Sequence, residues 1–240
     1  MATRPVFIVS LEGNSYVTVK TIEFQWVPGM AISQKQKCID SLHNQIKTEI
    51  GNNVLEVSSK SRTSLGVSMS AFNLGFVHPK FQEFISVESA FQGSKVFEKG
   101  GSFPELYTKN ARDAKAFFKE KDLGKLIKFN FFGQIWPLNP LTLFYNWLYL
   151  KSIHKNQLLA KNAANYDIFT DIEFNPRKSI NCQAYSAALY VSLVKRKMID
   201  EVLVNHENYI LAMQEQEDWI LDTVYNKFHP KKENTIFDVL

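Results

Sequence analysis

The stretch Ser86-Val-Glu-Ser-Ala-Phe-Gln-Gly-Ser-Lys-Val-Phe97 has the most informative spacing in the chain, and it predicts a helix over residues 86–98. Four polar or aromatic side chains then fall at i, i+3, i+4 and i+7 on one helix face: Glu88, Phe91, Gln92 and Lys95. A carboxylate, a ring, an amide and an amine in one row can bind a sugar hydroxyl, stack a base and transfer a proton. The same spacing also suits a solvated helix edge, so the row alone leaves both interpretations open.

The N-terminal segment predicts a hairpin followed by a helix and a strand. Residues 5–27 alternate between apolar and polar side chains around the turn signal Gly13-Asn14. The sequence Ser33-Gln-Lys-Gln36 resembles a capping box, and the apolar residues that follow it recur at helical spacing. This pattern predicts a helix over residues 34–49, and Val54-Leu-Glu-Val57 then predicts a strand.

The rest of the chain adds further helices and one more strand. The expected elements are a helix begun by Ser102-Phe-Pro-Glu105, a short helix over Ala111–Lys119, a strand over residues 125–132, a helix begun by Asn139-Pro140 and a helix over residues 182–197. No internal repeat or Gly/Ser-rich linker separates them. The fold class is therefore α+β, as a helix-rich single domain with an N-terminal β-hairpin.

The composition is that of a folded chain with unevenly placed charge. Of 240 residues, 45% are hydrophobic and 13% aromatic, which excludes a disordered or low-complexity chain. The net charge of +4 divides into −6 for residues 198–240 and +10 for residues 1–197. The basic body is either ordinary solubilising surface or a surface that attracts a polyanion such as nucleic acid.

Several functional classes are disfavoured by the sequence. Cys38 and Cys182 lie far apart and the five histidines are scattered, so neither a disulfide framework nor a metal site is expected. The N-terminus lacks the pattern of a signal peptide, and Pro, Asn and Lys interrupt the most apolar window, residues 135–153, which disfavours a membrane span. The glycine fingerprint of dinucleotide-binding proteins, the Walker loop and the zinc-protease motif do not occur. We therefore expect a cytoplasmic protein without a metal or a cofactor.

The polar run Ser58-Ser-Lys-Ser-Arg-Thr-Ser64 follows the expected strand at residues 54–57. Its hydroxyl groups, together with Lys60 and Arg62, suit the binding of anionic oxygen. A plain surface loop has the same composition, so the run by itself does not decide between the two.

The helix motif at residues 88–95, taken with the preceding Ala71-Phe-Asn-Leu74, resembles the signature of the NADAR, or YbiA-like, family. Asn73 falls on the family's asparagine, whereas Phe72 stands in place of its usual serine and Leu74 in place of its second phenylalanine. The helix motif itself follows the family pattern closely.

A third match lies further along the chain. The sequence Asp167-Ile-Phe-Thr-Asp171, followed by Asn181 and a helix of small residues, resembles the family's third conserved region, with Thr170 where the family often has glycine. The whole chain is similar to the NADAR antitoxins encoded with DarT-type toxins. The stretches that carry this similarity are Arg4-Pro-Val-Phe7, Phe24-Gln-Trp26, Ser33-Gln-Lys-Gln-Lys37 and the long segment Phe169–Tyr185.

This resemblance implies an activity. The partner toxin of such an antitoxin attaches ADP-ribose to guanine bases of DNA, and the NADAR protein removes it by cleaving the N-glycosidic bond, which releases ADP-ribose. ADP-ribosylated DNA would then be the substrate and a DarT-type toxin a possible partner. Two alternatives stay open: an N-glycosidase for a small riboflavin-pathway or nucleotide metabolite, and a non-catalytic protein that binds ADP-ribose or the toxin.

The resemblance and the helix row together select the candidate site residues. The candidate catalytic residues are Lys60, Glu88, Lys95 and Asp171. The candidate substrate-binding residues are Arg62, Asn73, Phe91, Gln92, Asn181, Gln183 and Tyr185. We expect Asp171, Asn181, Gln183 and Tyr185 to form the wall opposite the helix row, with a pyrophosphate near the start of the helix at residues 182–197.

Two chemical routes compete for the reaction. Glu88 or Asp171 could activate water at the anomeric carbon, or a lysine could attack that carbon and open the ribose as a Schiff base. The resemblance favours the lysine route, with Lys60 as the matched residue and Lys95 as the alternative. A nucleophilic lysine must be neutral, so burial or a neighbouring cation such as Arg62 would have to lower its pKa from about 10.4.

The sequence also suggests a division of the chain into three parts. Residues 1–57 form a hairpin and helix packed on the core, residues 58–197 form the NADAR catalytic core, and residues 198–240 form an acidic C-terminal extension.

Overall fold

The first two strands, β1 (Ala2–Val9) and β2 (Val17–Phe24), form the hairpin that the sequence predicts. In the computed structural model they pair antiparallel along their full length. The structure describes residues 1–79, 82–119, 121–139, 142–176, 179 and 181–214. One face of the hairpin packs on helix α1 (Ile32–Glu49), where Cys38, Ile39, Leu42 and Ile46 are buried.

Helix α1 begins before the predicted capping box. Its N-cap is Ala31 rather than Ser33, and an alanine side chain has no oxygen with which to cap the helix. Gln34 occupies the third helical position instead of Gln36, and its Oε1 accepts a hydrogen bond from the Ala31 N–H at 3.1 Å. Only the reciprocal half of a capping box therefore forms here.

The first sheet joins segments that are far apart in the sequence. Its strand order is β2-β1-β10-β3, with β3 at Val54–Glu56 and β10 at Ile168–Thr170. Strand β10 pairs antiparallel with β1 and parallel with β3, with Thr170 opposite Glu56. The long helix α7 (Gln183–Lys195) packs on β1 and β10. This arrangement places the end of β10 beside the start of α7.

The helix predicted over residues 86–98 is wrong in its second half. Helix α3 (Val87–Gly93) ends well before residue 98, and strand β6 (Lys95–Phe97) pairs with β8 (Leu126–Phe131). The Gly93 carbonyl accepts a hydrogen bond from the Phe103 N–H at 2.7 Å, which is not a helical bond. A Cβ atom at Gly93 would lie 2.6 Å from the ring of Tyr107, so this close approach requires a glycine. Lys95 therefore lies on a strand and not one turn further along the helix.

The remaining elements confirm most of the predicted pattern. They are α2 (Ser64–Ser68), β4 (Gly75–Val77), β5 (Phe84–Ser86), α3 (Val87–Gly93), β7 (Gly100–Gly101), α4 (Ala111–Ala116), β9 (Gln134–Trp136), α5 (Leu143–Lys155), α6 (Gln157–Ala163), α8 (Ile199–Val202) and α9 (His206–Gln214). The helix predicted from Ser102-Phe-Pro-Glu105 is only a single 3-10 turn, Pro104–Leu106. Helix α5 has Thr142 as its N-cap instead of Asn139, and Pro140 lies outside the described residues.

The core lies between the first sheet and a second sheet of order β7-β6-β8-β9. Helix α7 packs on the first sheet, α5 packs on α7, and α3 packs on α5. Phe91 of α3 contacts Phe129 of the second sheet and Phe144 of α5, with ring centroids 5.1 and 6.2 Å apart. This layering confirms the α+β class and brings the starts of α3 and α7 to the same region.

Two sequence expectations concern the ends of the fold and membranes. Of the acidic segment 198–240, residues 215–240 lie outside the described residues, and the division into three parts stays a prediction. Among the helices that the structure describes, none combines the length and the apolar character needed to cross a bilayer.

Candidate active site

A cavity of about 380 Å³ lies where α3, the end of β10 and the start of α7 meet. Seven of the eleven candidate site residues line it: Glu88, Phe91, Gln92, Lys95, Asp171, Asn181 and Gln183. Eight residues that the sequence reasoning did not select also line it, namely Ala71, Phe72, Lys115, Tyr145, Glu173, Phe174, Asn175 and Ser179. The helix row and the third family region therefore face one common space.

Lys95 enters this cavity from the first position of β6. Its side chain is 8% exposed, and its Nζ lies 5.2 Å from the centroid of the Phe91 ring and 5.3 Å from that of Phe118. Burial among these rings lowers the pKa of Lys95 to about 8; Lys115 lowers it further and Glu88 opposes the shift. A substantial fraction of this amine is therefore neutral near physiological pH.

Glu88 and Gln92 form one wall of the cavity from successive turns of α3. Gln92 Nε2 donates a hydrogen bond to Glu88 Oε1 at 2.9 Å, which fixes both side chains. Gln92 Oε1 is buried and has no partner among the described residues. A buried amide oxygen without a donor is costly, so this atom is placed to accept a hydrogen bond from a ligand.

Asp171 forms the opposite wall, directly after β10. It is buried, and its Oδ1 accepts hydrogen bonds from the N–H groups of Glu173 at 2.9 Å and Phe174 at 3.1 Å. Burial raises the pKa of Asp171 to about 8, and the nearby carboxyl group of Glu56 raises it as well. Asp171 therefore holds a proton over much of the neutral range and can donate it.

Glu56 is a buried residue that the sequence analysis missed. It is 2% exposed and lies on β3, behind the cavity lining, and burial raises its pKa. Its carboxyl oxygens accept hydrogen bonds from Ser58 Oγ at 2.6 Å, Thr170 Oγ1 at 2.6 Å and the Ile172 N–H at 2.8 Å. The available signal was a single Glu within an otherwise apolar strand, because such a residue points to a buried polar partner.

The Glu56 network continues toward the surface through a histidine. His43 Nε2 lies 2.9 Å from Thr170 Oγ1, and burial lowers the pKa of His43 to about 4. His43 is therefore neutral at physiological pH. The network is thus held by hydrogen bonds from hydroxyl, amide and imidazole groups without an ion pair to Glu56 among the described residues.

Gln183 and Asn181 complete the wall at the start of α7. Gln183 Oε1 accepts a hydrogen bond from the Ala71 N–H at 2.7 Å, while its amide nitrogen donates to Asp171. Gln183 thus connects the first family motif to the carboxyl group of Asp171. Asn181 Oδ1 is buried without a partner among the described residues, like the amide oxygen of Gln92. The N–H groups of Ala184 and Tyr185 point toward the Cys182 sulfur, and the position of a pyrophosphate near the start of α7 stays a prediction.

Tyr145 forms the floor of the cavity between the two walls. Its ring contacts Phe91 edge to face at 5.4 Å. Burial raises the pKa of Tyr145 well above 10, and the charges of Glu88 and Asp171 raise it further. Its hydroxyl group has no hydrogen-bond partner in the described part of the chain, and it stays protonated, so it can donate to a ligand.

Four candidate residues lie outside the cavity lining. Lys60 is half-buried in the turn after β3, and Arg62 donates two hydrogen bonds to the carboxylate of Asp40 on α1, at 2.6 and 2.5 Å. Asn73 Nδ2 donates to the Val67 carbonyl at 2.8 Å. The fourth is Tyr185, whose buried ring packs on Phe7 at 5.9 Å. Their roles in the reaction stay predictions.

The chemistry that this arrangement supports is acid–base and nucleophilic. The described residues contain no group of three or more His, Cys, Asp or Glu side chains arranged to hold a metal ion. The cavity instead combines a partly neutral amine, two carboxyl groups on opposite walls and two unpaired amide oxygens. Such a set suits attack on a sugar carbon while hydroxyl groups of the ligand are held by the amides.

Comparison with known proteins identifies the family of the chain. No curated protein matches the chain significantly. A family described as the DarT1-associated NADAR antitoxin matches residues 2–219, which include every residue of the cavity. The match covers nine-tenths of the chain in a single alignment and not one motif alone. The chain therefore belongs to the DarT1-associated NADAR antitoxins.

Proposed function

We propose that this protein is a hydrolase that removes ADP-ribose from guanine bases of DNA by cleaving the N-glycosidic bond. In this role it reverses the modification made by a DarT-type toxin, and its products are intact guanine and free ADP-ribose. Family membership supports the antitoxin role. The buried lysine in a cavity with two carboxyl groups supports a catalytic mode of action. The protein would act in the cytoplasm, where its DNA substrate lies.

The observation that carries this proposal is the position of Lys95 in the cavity. At pH 7.5, a lysine with a pKa of about 8 is roughly 25% neutral, whereas a lysine with an ordinary pKa is roughly 0.1% neutral. The cavity therefore raises the concentration of the nucleophilic form by a factor of about 200. A merely structural surface lysine has no need of such a site.

We infer a covalent route with Lys95 as the nucleophile. The neutral Nζ attacks the anomeric carbon, and the bond from that carbon to the guanine nitrogen breaks. The electron pair goes to the guanine nitrogen, which takes a proton from Asp171. The amine loses a proton to Glu88. The nitrogen lone pair then forms the C=N bond of a Schiff base while the bond from the anomeric carbon to the ring oxygen breaks, and that oxygen takes the proton from Glu88. Water then adds to the imine carbon and expels the lysine, so that one water is consumed for each ADP-ribose released.

The other cavity residues have supporting roles in this proposal. Gln92 and Asn181 accept hydrogen bonds from sugar hydroxyls through their unpaired amide oxygens. Phe91 packs against the substrate and against the stem of Lys95, while Gln183 orients Asp171. Lys60 is the weaker candidate nucleophile, because it lies outside the cavity lining.

A carboxylate route and a smaller substrate are the competing proposals. In the first, Glu88 activates water directly at the anomeric carbon and no covalent intermediate forms. In the second, the substrate is a small nucleotide-like N-glycoside, which a cavity of about 380 Å³ can accommodate without any DNA. A non-catalytic protein that binds ADP-ribose or the toxin would leave the modified base unchanged.

One experiment separates these possibilities. Purified protein is incubated with an oligonucleotide that carries ADP-ribosylated guanine, and free ADP-ribose and intact oligonucleotide are measured with and without borohydride. We expect turnover, and with borohydride a covalent ADP-ribosyl adduct on Lys95. The Lys95→Met variant should lose both signals, and the matched Lys60→Met variant should keep both. Release without trapping would favour the carboxylate route, and no release under any condition would contradict the proposed activity.

A further inference from the structure

The surface beside the cavity mouth is unusually rich in basic side chains. Residues 109–125 contain six Lys or Arg and three Asp or Glu. Helix α4 lies in this segment and packs on α3 through the buried Ala111 and Ala114. Arg112 and Lys115 of α4 and Lys119 in the turn after it, which we call the α4 basic row, are all exposed. Two of the three cations therefore lie on the helix that packs on α3, and the third follows that helix closely in the chain.

Within the described part of the chain, no carboxylate forms an ion pair with the α4 basic row. Asp122 forms an ion pair with Lys99, and the described residues provide no ion-pair partner for Arg112, Lys115 or Lys119. Unpaired cations on a surface are usually only solvated, so their position relative to the cavity decides whether they matter.

Lys115 connects the row to the cavity. It lines the cavity mouth, and its charge contributes to the lowered pKa of Lys95. Its Nζ also lies 5.8 Å from the centroid of the Phe72 ring, which lines the mouth and is 38% exposed. An exposed ring next to a track of cations is the combination that binds single-stranded nucleic acid, because bases stack on the ring while phosphates follow the cations.

We propose that the α4 basic row and Phe72 bind the DNA strand that carries the modified guanine, the row by its phosphates and Phe72 by one base. This inference rests on the proposed function, since it supplies the DNA that the glycohydrolase acts on. A guanine in a duplex cannot reach a closed cavity, so the bound strand is single or has the modified nucleotide extruded. The row then holds the backbone on one side of the mouth while the ADP-ribosyl group enters the cavity.

The salt dependence of nucleic-acid binding gives the loss of affinity expected when basic residues of the row are replaced. Each phosphate contact on a single strand contributes a slope of about −0.7 in log affinity against log salt, which is about fivefold in affinity at 0.1 M salt. The double variant Arg112→Gln/Lys119→Gln removes two contacts. Its affinity for an unmodified single-stranded oligonucleotide should fall by about 25-fold, and its slope should be shallower by about 1.4.

A matched control variant shows whether DNA binding depends on where the basic residues lie or only on the net charge of the protein. Lys47→Gln/Lys161→Gln removes two exposed charges from α1 and α6, at residues that do not line the cavity. Fluorescence anisotropy from about 50 to 300 mM salt measures the three proteins on the same oligonucleotide. We expect the control to bind like the parent. Equal affinity and equal slope for parent and Arg112→Gln/Lys119→Gln would overturn the proposal, as would an equal loss in both variants.

Two variants of Phe72 test whether a base stacks on its ring. Phe72→Ala should weaken binding of the oligonucleotide by about 5- to 100-fold, whereas Phe72→Trp should restore it, because any flat ring can stack on a base. A loss in Phe72→Ala that Phe72→Trp does not restore would contradict stacking.

A second substrate keeps this test separate from the proposed function. Turnover is measured on ADP-ribosylated oligonucleotide and on ADP-ribosylated guanosine. For Arg112→Gln/Lys119→Gln we expect KM to rise by about 25-fold on the oligonucleotide and to stay unchanged on the nucleoside. An equal change on both substrates would contradict a role in DNA binding. If the parent turns over neither substrate, the proposed activity fails, while the binding measurements still decide whether the surface holds DNA.

Discussion

The dependence of the reaction on pH follows from two groups of the cavity with similar pKa values and opposite requirements. In the proposed mechanism, Lys95 must be neutral to attack, and Asp171 must be protonated to donate to the leaving guanine. The pKa of each is about 8. The active fraction is the product of the two fractions, so kcat/KM should follow a bell with its maximum near pH 8, where about one quarter of the molecules are active.

The limbs of this bell have a definite steepness. At pH 6 about 1% of Lys95 is neutral while nearly all Asp171 is protonated, and at pH 10 the situation is reversed. We therefore expect kcat/KM to fall about 25-fold from its maximum at each of these pH values. The assay is release of ADP-ribose from a modified oligonucleotide at substrate concentrations below KM, so that the profile reports the free enzyme.

Two comparisons test whether the acid limb of the pH profile belongs to Lys95 and the alkaline limb to Asp171. The acid limb should also govern the rate of borohydride trapping, because trapping needs the neutral amine. In Asp171→Asn the residual activity should lose the alkaline limb and keep the acid limb. A profile that is flat from pH 6 to 10, or an alkaline limb that persists unchanged in Asp171→Asn, would refute these assignments.

Three further outcomes are expected. Glu56→Gln removes a buried negative charge near Asp171 and should lower the pKa of Asp171, so the alkaline limb of the pH profile should move to lower pH while the acid limb stays in place; limbs that move together would contradict this. Because the pKa of Asp171 is raised on folding from 3.8 to about 8, its contribution to stability is full below pH 4 and is lost as the pH rises to about 8. Asp171→Asn should therefore gain free energy of unfolding relative to the parent between pH 5 and 8, by up to about 1.4 kcal/mol per pH unit in denaturant titrations, and a constant difference would argue against a raised pKa. Gly93→Ala places a Cβ 2.6 Å from the Tyr107 ring and should cost about 1–3 kcal/mol, seen as a lower Tm, with Ala116→Gly on exposed α4 as a comparison that involves no clash.

The sequence was sufficient to predict cavity-lining residues that lie close together in the chain and share one helix face. Glu88, Phe91 and Gln92 were predicted to share one helix face, and the structure places all three on the cavity. Lys95 also lines the cavity, although the helix that was expected to carry it ends at Gly93. A continued helix and the observed strand both place the Lys95 side chain on the same side as Glu88 and Gln92. The prediction that Lys95 shares a site with them therefore agrees with the cavity lining, although the predicted helix at residue 95 is wrong.

The sequence was insufficient to predict site residues whose contacts are made with residues far away along the chain. Glu56 hydrogen-bonds Thr170 and Ile172, more than a hundred residues away, and nothing near Glu56 in the sequence reveals those partners. Tyr145 was missed for a similar reason, because a tyrosine in an apolar helix is usually a core residue. For Lys60, the polar run after β3 did not reveal on which side of the sheet its side chain would lie.

The strand order of the first sheet determines the stage of synthesis at which the cavity can first be completed. Strand β10 lies between β1 and β3, so both of these strands have an unpaired edge until residues 168–170 have left the ribosome. The carboxyl group of Asp171 and the helix that carries Gln183, which both line the cavity, are made only after that point. A nascent chain that stops short of β10 therefore has an incomplete sheet and only part of the cavity wall. When synthesis is interrupted, the number of complete cavities in the cell is therefore set by the molecules that were finished earlier.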